Sequence, residues 1–496
     1  MTHFITSMKS IPVYIVRYSE IGLKGPHARS LMERKLISNL KVSLASRGLD
    51  FSFTREPGRI FLWSSGPPEE VEDAVSRVFG VKSVSNAVYM DFNTSEEITG
   101  RAVELFSEGV KGRKFAVKVR RSGSHNFTSK ELEEEIGSAL YDGSAGVDLG
   151  NPEFVCHVEV RDNRSFFYST IRPGPGGLPL GSEGKLVSLM SGGIDSPVAA
   201  WMMLRRGCPV DAIFIALAHP VDTAQFLRQF AGLYENWYFG LDPMVYVVDG
   251  SDAVERLTDG RTFRFPNVTF KKILYRLAEK IATNAGYFGI VTGESMGQVS
   301  SQTAENLFAL SRSVHHNILR PLVGMDKDEI TEMCRKIGAF PETSLGEFCA
   351  IFSAEPITRI TEEELESEDV SEELINKMLE KTLKLKGSQI RDHLQSIEGR
   401  DTRLTEPKGG ETILDLRNAE EYRKWHFPGA INARLSDLRS MGSALKDSKG
   451  VILYCSKGLQ SAAGANILIR MGIDARYTNT DYLKRKTVSV HPDDSL

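Results

Sequence analysis

Cysteine is scarce in this sequence: five thiols in 496 residues, at positions 156, 208, 334, 349 and 455, with none in a C-x-x-C pair. That scarcity excludes a secreted disulfide framework, a zinc knuckle and a thioredoxin-type redox motif. Long apolar runs are also missing. The N-terminus reaches an apolar stretch only at Ile11–Val16, too short for a signal-peptide core. Segments such as Ala212–Ala218 fall far short of the ~20 residues that cross a bilayer. The sequence therefore predicts a soluble protein of a reducing cytoplasm with no membrane partner. Charge of one sign is not in excess either: 61 Lys and Arg against 65 Asp and Glu leave a net charge of −4, so any nucleic-acid contact must come from a local patch. With 41% hydrophobic and 25% charged residues, the composition fits neither disorder nor a coiled-coil rod. There is no internal repeat or low-complexity tract.

What is present is a succession of short elements. Ile11–Arg17 reads as a strand, and Pro26–Arg47 as a helix with Leu31, Leu36, Leu40 and Leu44 on one side. Further strands are predicted at Ile60–Trp63, Ser83–Met90, Phe115–Val119 and Phe154–Val160, with helices at Glu69–Phe79, Thr94–Glu108 and Ser129–Tyr141. This alternation suits two small α+β units. Pro173-Gly-Pro-Gly-Gly-Leu-Pro-Leu-Gly-Ser182 is the strongest break and marks a domain boundary. From Lys185 the pattern becomes strand, glycine turn and helix, with strands at Leu186–Met190, Val210–Leu217, Met244–Val248 and Gly289–Thr292, as in a parallel α/β sheet. Glu362–Asp369 opens an acidic, then Lys-rich stretch running to Arg400, which reads as a solvated helical linker. The last ~95 residues start again with strands at Thr412–Leu416 and Gly450–Tyr454 and a helix at Ser461–Met471, a small α/β domain.

Ser191-Gly-Gly-Ile-Asp-Ser196 lies between an apolar strand and a helix with Pro197 in its first turn. Backbone N–H groups of Ser191, Gly192, Gly193 and Ser196 at a helix entrance suit a phosphate. The Gly-Lys-[Ser/Thr] ending of a Walker A loop is missing, so P-loop γ-phosphoryl transfer is disfavoured. Asp195 inside an anion site implies an intervening Mg²⁺. A plain glycine turn closing a strand on a helix is the simpler alternative. The motif as a whole resembles the PP-loop ATP pyrophosphatases, which cleave ATP between the α and β phosphates. Together with Thr292-Gly-Glu-Ser-Met-Gly-Gln-Val-Ser-Ser-Gln-Thr303 and Arg320-Pro-Leu-Val-Gly-Met-Asp-Lys-Asp-Glu-Ile330, the chain resembles the tRNA 4-thiouridine synthetase (ThiI) family along essentially its whole length. By position in these motifs, the resemblance implies nucleotide contacts at Leu189, Met190, Phe214, Ile215, Lys271, Gly293 and Gln302, and a charge-stabilising role for Lys327. Without it, Lys271 and Lys327 are ordinary exposed lysines.

Lys111-Gly-Arg-Lys-Phe-Ala-Val-Lys-Val-Arg-Arg121 holds six basic and no acidic residues. Lys111, Arg113, Lys114, Lys118, Arg120 and Arg121 are candidate RNA contacts, and on a strand Lys118 and Arg120 share a face. Phe127 is a candidate for stacking on an unpaired base. Alone, this is a solvated strand. Followed by Val147-Asp-Leu-Gly-Asn-Pro152 and Phe154–Val160, it resembles a THUMP domain, which implies tRNA as partner. Tyr18-Ser-Glu-Ile-Gly-Leu-Lys-Gly25 and Val78-Phe-Gly-Val81 resemble the ferredoxin-like domain preceding THUMP in this family.

Ile413-Leu-Asp-Leu-Arg-Asn-Ala-Glu-Glu-Tyr-Arg-Lys-Trp-His-Phe-Pro-Gly-Ala430 resembles a rhodanese domain, with Asp415, Arg417, Glu421, His426 and Gly429 as structural residues. Cys455 ends an apolar strand and opens Cys-Ser-Lys-Gly-Leu-Gln-Ser461 before a helix, an arrangement that stabilises a thiolate or persulfide. Many rhodaneses have an arginine where Gln460 stands here, which favours persulfide from a protein donor over thiosulfate, with Lys457 supplying positive charge. Cys349 matches the family's second cysteine and is implied as disulfide partner of Cys455. Cys156, Cys208 and Cys334 read as core residues.

The resemblance thus implies a multidomain chain. Residues 1–80 and 81–175 form N-terminal α+β ferredoxin-like and THUMP domains. A central α/β parallel-sheet PP-loop (adenine nucleotide alpha hydrolase-like) domain spans 181–356, followed by a helical linker at 357–404 and an α/β rhodanese-like domain at 405–496. The implied activity is ATP-dependent formation of 4-thiouridine in tRNA at position 8, with AMP and pyrophosphate released. Its needs are ATP with substrate-bound Mg²⁺, no permanent cofactor, a cysteine desulfurase as persulfide donor and an external reductant. Homodimer formation and sulfur supply for thiamine thiazole synthesis are further implications. An RNA-binding sulfur carrier, or a PP-loop enzyme thiolating another tRNA base, are the alternatives.

Overall fold

The computed structural model describes residues 12–217, 221–258, 263–299, 301–341, 358–397, 409–456 and 458–488. The chain divides into two compact units, one running to Ser182 and including Arg205–Gly207, the other made of the remainder. Among the described residues no helix is long and apolar enough to cross a membrane.

The first unit holds β1 (Val13–Arg17), β2 (Ser52–Glu56), β3 (Arg59–Trp63), β4 (Ser83–Asp91), β5 (Phe115–Ser122), β6 (Phe154–Arg161), β7 (Arg164–Tyr168) and β8 (Arg172–Pro173). They form one sheet ordered β2-β3-β1-β4-β7-β6-β5, with β8 beside β4. The two α+β units share β4, whose Ser83–Ala87 pairs with β1 and whose Val88–Asp91 pairs with β7. β2 and β7, absent from the sequence reading, are arms of tight hairpins. One turns at Pro57-Gly58, with Gly58 at φ +76°, and the other at Asp162-Asn163, with Asp162 at φ +50°. On the helix Pro26–Ala45, Leu36, Leu40 and Leu44 are buried but Leu31 is 48% exposed. Five residues before Leu36, it lies about 140° away around the helix.

The sheet is sharply curled. Phe61 on β3 and Phe166 on β7 stack with centroids 4.7 Å apart, although three strand spacings would separate them by about 14 Å in a flat sheet. Arg59 on β3 donates to Glu159 on β6 at 2.9 Å. Glu159 is buried and also meets Arg161 and Arg17. Burial raises its pKa, but the three guanidinium groups outweigh that and hold it low.

The Pro173–Ser182 break is packed rather than loose. Gly174 and Gly176 N–H donate to the Lys82 and Val81 carbonyls, Asn39 Nδ2 donates to the Leu180 carbonyl, and Leu178 and Leu180 are buried.

The second unit contains β9 (Leu186–Met190), β10 (Val210–Ala216), β11 (Met244–Asp249), β12 (Ile290–Val291), β13 (Ile318–Leu319) and β14 (Leu383–Lys386), ordered β13-β12-β9-β10-β11-β14. All pairs are parallel except β11 with β14. β9 lies between β10 and β12, so the chain order reverses beside it, and the crevice at its carboxyl end is where such sheets take ligands. A second parallel sheet, β16-β15-β17-β18, comprises β15 (Thr412–Asp415), β16 (Ile431–Asn432), β17 (Val451–Cys455) and β18 (Ala475–Asn479).

The expectation of a solvated helical linker over 357–404 is corrected for its described part, 358–397. β14 extends the six-stranded sheet, and Leu365, Ile375, Met378 and Leu394 are buried. The acidic residues mask an amphipathic pattern whose apolar positions face the sheet's helices. Lys272 Nζ, buried on the helix Pro266–Ala285, donates to the carbonyls of Leu365 at 2.8 Å and Glu368 at 2.9 Å, at the end of the helix Glu362–Ser367. Lys272→Met should cost ~2 kcal/mol, the worth of charge-assisted hydrogen bonds, and expose residues 358–397 to limited proteolysis. Cleavage there no faster than in wild type would refute the anchor.

Candidate active site

β9 delivers the chain into Ser191–Ile194, and the helix Asp195–Arg205 follows. Gly192 adopts φ +73°, the left-handed region a side chain disfavours. Ser191 N–H donates to Ser196 Oγ at 3.3 Å. Gln229 Nε2 holds the Gly193 carbonyl at 3.0 Å and that of Ala339 at 2.8 Å. Leu189 is half-buried and Met190 buried at the end of β9. Phe214 and Ile215 lie on the adjacent β10 as core residues, Phe214 stacked on Phe226 at 4.3 Å, so only their backbone is placed to meet a ligand.

The segment after β12 crosses this loop. A Cβ on Gly293 would stand 2.6 Å from Ser196 N and 2.8 Å from Asp195 C, so the position accepts only glycine. Gln298 Nε2 donates to Asp195 Oδ2 at 3.0 Å, and Lys327 Nζ approaches Asp195 Oδ1 at 3.2 Å. Lys327 opens the helix Lys327–Lys336, capped by Asp326. Gln302 Oε1 accepts from Ser295 N–H at 3.3 Å and braces the crossing segment.

Next to Gly293, Glu294 is buried among polar partners. It accepts from Lys271 Nζ at 3.1 Å, Arg320 Nε at 2.9 Å, Tyr275 OH at 2.5 Å and Thr292 Oγ1 at 3.1 Å. Burial pushes its pKa up, yet Lys271 and Arg320 overcome this and hold it at about 2. The structure thus brings Asp195, Gly293 and Lys327 together at the loop, and joins Lys271 and Gln302 to it through Glu294 and Ser295, the two residues that follow Gly293. Sequence reasoning missed Gln229, Tyr275, Glu294, Gln298 and Arg320. Glu294, Gln298 and Arg320 stand inside the quoted motifs, but their partners are 19 to 103 residues away.

Cys455 ends β17 and is 3% exposed. Its Sγ accepts from Gly458 N–H at 3.1 Å and lies 3.6 Å from Ser461 Oγ, at the entrance of the helix Leu459–Arg470. This is a preformed anion seat for sulfur. Around it Asp415 and Arg417 form a buried ion pair at 2.5 Å, Arg417 lies over the rings of Trp425 and Tyr454, and Glu421 accepts from Ser456 Oγ at 2.9 Å. Tyr422 and His426 stack at 4.1 Å, and Gly429 takes φ +78°. Cys349 and Lys457 lie outside the described residues. Cys156, Cys208 and Cys334 are buried, and burial pushes the Cys156 and Cys334 thiols up to about 12.

In the first unit, Lys111, Arg113, Lys114, Lys118, Arg120 and Arg121 are all exposed. Lys118 and Arg120 share one face of the edge strand β5, beside His157 and Glu159 of β6. Phe127, the candidate for base stacking, is half-buried, with its ring beside Phe92 and His125 at the edge of the core.

Four family models match successive parts of the chain. Residues 13–85 match the ThiI ferredoxin-like domain, 92–170 the THUMP domain, 181–374 the family described as Thiamine biosynthesis protein (ThiI), and 401–484 the rhodanese-like domain. The chain is 44% identical over 477 residues to a tRNA sulfurtransferase of Thermoplasma volcanium, covering 96% of this chain and 98% of the relative. It is 43% identical over 479 residues to a tRNA sulfurtransferase of Thermoplasma acidophilum, covering 96% of each. Among solved structures, a 4-thiouridine synthetase in complex with RNA and bound ATP aligns with a TM-score of 0.65 and 28% identity, over 76% of this chain and all of that one.

The basic face leads to a test. Burial first, then Lys118, Arg17 and Arg120, push His157 down to about 4. The unfolded chain, titrating near 6.5, then binds the proton more readily. Stability from this site is present above pH 6.5 and lost as pH falls from 6.5 through 4. His157→Gln should remove that part of the acid loss, and the His157 ring should titrate near 4 by NMR. A midpoint above 6 would refute the assignment.

Proposed function

The chain belongs to the ThiI family of tRNA sulfurtransferases, and we propose that it converts a uridine of tRNA, at position 8, to 4-thiouridine with ATP and a persulfide on Cys455. The observation that carries this reading is the pairing, in one chain, of the Asp195–Lys327 glycine loop at the sheet's switch point with a thiol seated at a helix entrance.

In the proposed sequence, uridine O4 attacks the α-phosphorus of ATP and pyrophosphate leaves. The loop N–H groups and helix N-terminus of Ser191–Ser196 hold phosphate oxygens, with Lys271 and Lys327 offsetting the negative charge that develops. Asp195 is the carboxylate available to an ATP-bound Mg²⁺, which when bound neutralises phosphate charge. Among the described residues no three His, Cys, Asp or Glu side chains cluster as a metal cage, and a single carboxylate fits a cation held mostly by phosphate and water. The terminal sulfur of the Cys455 persulfide then attacks C4, and AMP departs. Cys349 attacks Cys455 Sγ, forming the disulfide and leaving sulfur on C4. An external reductant supplies two electrons to restore both thiols, and a cysteine desulfurase reloads Cys455.

RNA is held on residues 1–175 by the exposed cations Lys111, Arg113, Lys114, Lys118, Arg120 and Arg121, which meet phosphates without reading sequence. Family membership also supports a sulfur supply to thiamine thiazole synthesis. The division of labour we propose assigns 181–356 to ATP and 405–496 to sulfur.

Mass spectrometry of nucleosides from tRNA incubated with the protein, ATP–Mg²⁺, cysteine and a desulfurase should show 4-thiouridine. Its absence, or undiminished product with Asp195→Ala, would overturn the proposal. Cys455→Ala should release AMP in the presence of tRNA while forming no 4-thiouridine. For RNA binding, Lys118→Ala should weaken affinity for all tRNAs alike and reduce the salt slope of log K by roughly one. An unchanged slope would remove Lys118 from the interface.

A further inference from the structure

Beside the glycine loop, two cations meet one carboxylate and the charge does not balance. The side chains of Lys271, Arg320 and Glu294 are only 9%, 14% and 8% exposed, so solvent does little to offset the surplus. Glu294 is saturated: Oε1 faces Lys271, while Oε2 faces Arg320, Tyr275 and Thr292. Three of Arg320's five N–H groups are committed, Nε to Glu294 and the two of Nη2 to Tyr275 OH at 3.0 Å and the Leu307 carbonyl at 3.3 Å. Lys271 is held less. Among the described residues its ammonium has one acceptor, Glu294 Oε1, leaving two of its three donors uncommitted. A largely buried ammonium with unused donors, in a cluster of net charge +1, needs an anion to complete it. The cluster is joined directly to the loop, because Glu294 follows the glycine whose backbone presses on Asp195 and Ser196.

We infer that Glu294 is a positioning residue for ATP, one that fixes the Lys271 ammonium beside the glycine loop so that its uncommitted donors meet the polyphosphate. The inference rests on the reading of that loop as the ATP site. Lysine is a flexible point charge on a four-carbon stem, and a carboxylate that binds it on one oxygen while Arg320, Tyr275 and Thr292 hold the other removes that freedom before the nucleotide arrives. Glutamine cannot replace Glu294. Its amide presents an N–H to one of the two cations, so one side of the clamp is always lost. Both oxygens of the carboxylate are needed.

The test compares equilibrium binding of ATP and of adenosine to the full chain. Glu294→Gln should weaken ATP binding tenfold or more while adenosine stays within twofold, because only the phosphates use the clamp. Lys271→Gln should do the same. The double variant should bind ATP no more weakly than Lys271→Gln alone, since Glu294 acts through Lys271. Unchanged ATP affinity in Glu294→Gln, an equal fall for adenosine, or effects that multiply in the double variant would each overturn the assignment. If Glu294→Gln does not fold, the double variant removes one of its two uncompensated cations and returns the cluster to its wild-type net charge, and its comparison with Lys271→Gln decides the matter alone. A wild-type chain that binds no ATP overturns the reading of the loop and this inference with it. A wild-type chain that binds ATP as Glu294→Gln does overturns this inference only.

Discussion

The constraint on which the candidate ATP site depends is the contact of two backbones, where Gly293 lies against the first turn of the helix Asp195–Arg205 with no room for a Cβ. Strand order creates the opportunity, because β12 runs beside β9 and both end at the same edge. The missing side chain allows the chain leaving β12 to cross the loop instead of passing over it. The polar residues of the crossing segment are then placed by covalent distance from that contact. Glu294 falls next to it, Ser295 and Gln302 close the segment on themselves, and Gln298 comes within reach of Asp195.

The same physical device occurs at two places with different ligands. At Ser191–Ser196 a strand ends, the chain turns through glycine, and a helix begins with its N–H groups free for an anion. At Cys455–Leu459 the same succession holds, but the acceptor is the chain's own sulfur, which sits at its strand's exit and accepts from Gly458 N–H. One site is built for an exchangeable charged ligand and carries long cationic side chains around it. The other carries a nearly closed seat in which backbone N–H supplies the stabilisation.

Much of this was legible in the sequence, and the exceptions have physical causes. The glycine loop, Cys455 and the basic strand are local patterns in which neighbouring residues act together, so a linear reading finds them. The hairpins on β2 and β7 were missed although Pro57-Gly58 and Asp162-Asn163 are turn signals, because β2, Ser-Phe-Thr-Arg-Glu, has no buried residue and β7 follows β6 after only two residues. Residues 358–397 were misread since charge dominates the composition while burial is decided by spacing. Glu294 was invisible for a deeper reason: its meaning comes from Lys271 and Arg320, 23 and 26 residues away on opposite sides in sequence, and no local pattern carries a charge surplus.

The shared strand β4 has a mechanical consequence. Since one strand is hydrogen-bonded into both halves of the first unit, and Glu159 ties β3 to β6 across the curl, the ferredoxin-like half and the basic edge strand β5 cannot hinge apart without breaking sheet. The spacing between them is set by a count of strands and not by the length of any loop. The first unit is therefore a caliper of fixed opening, its two jaws the ferredoxin-like half and the basic edge strand β5.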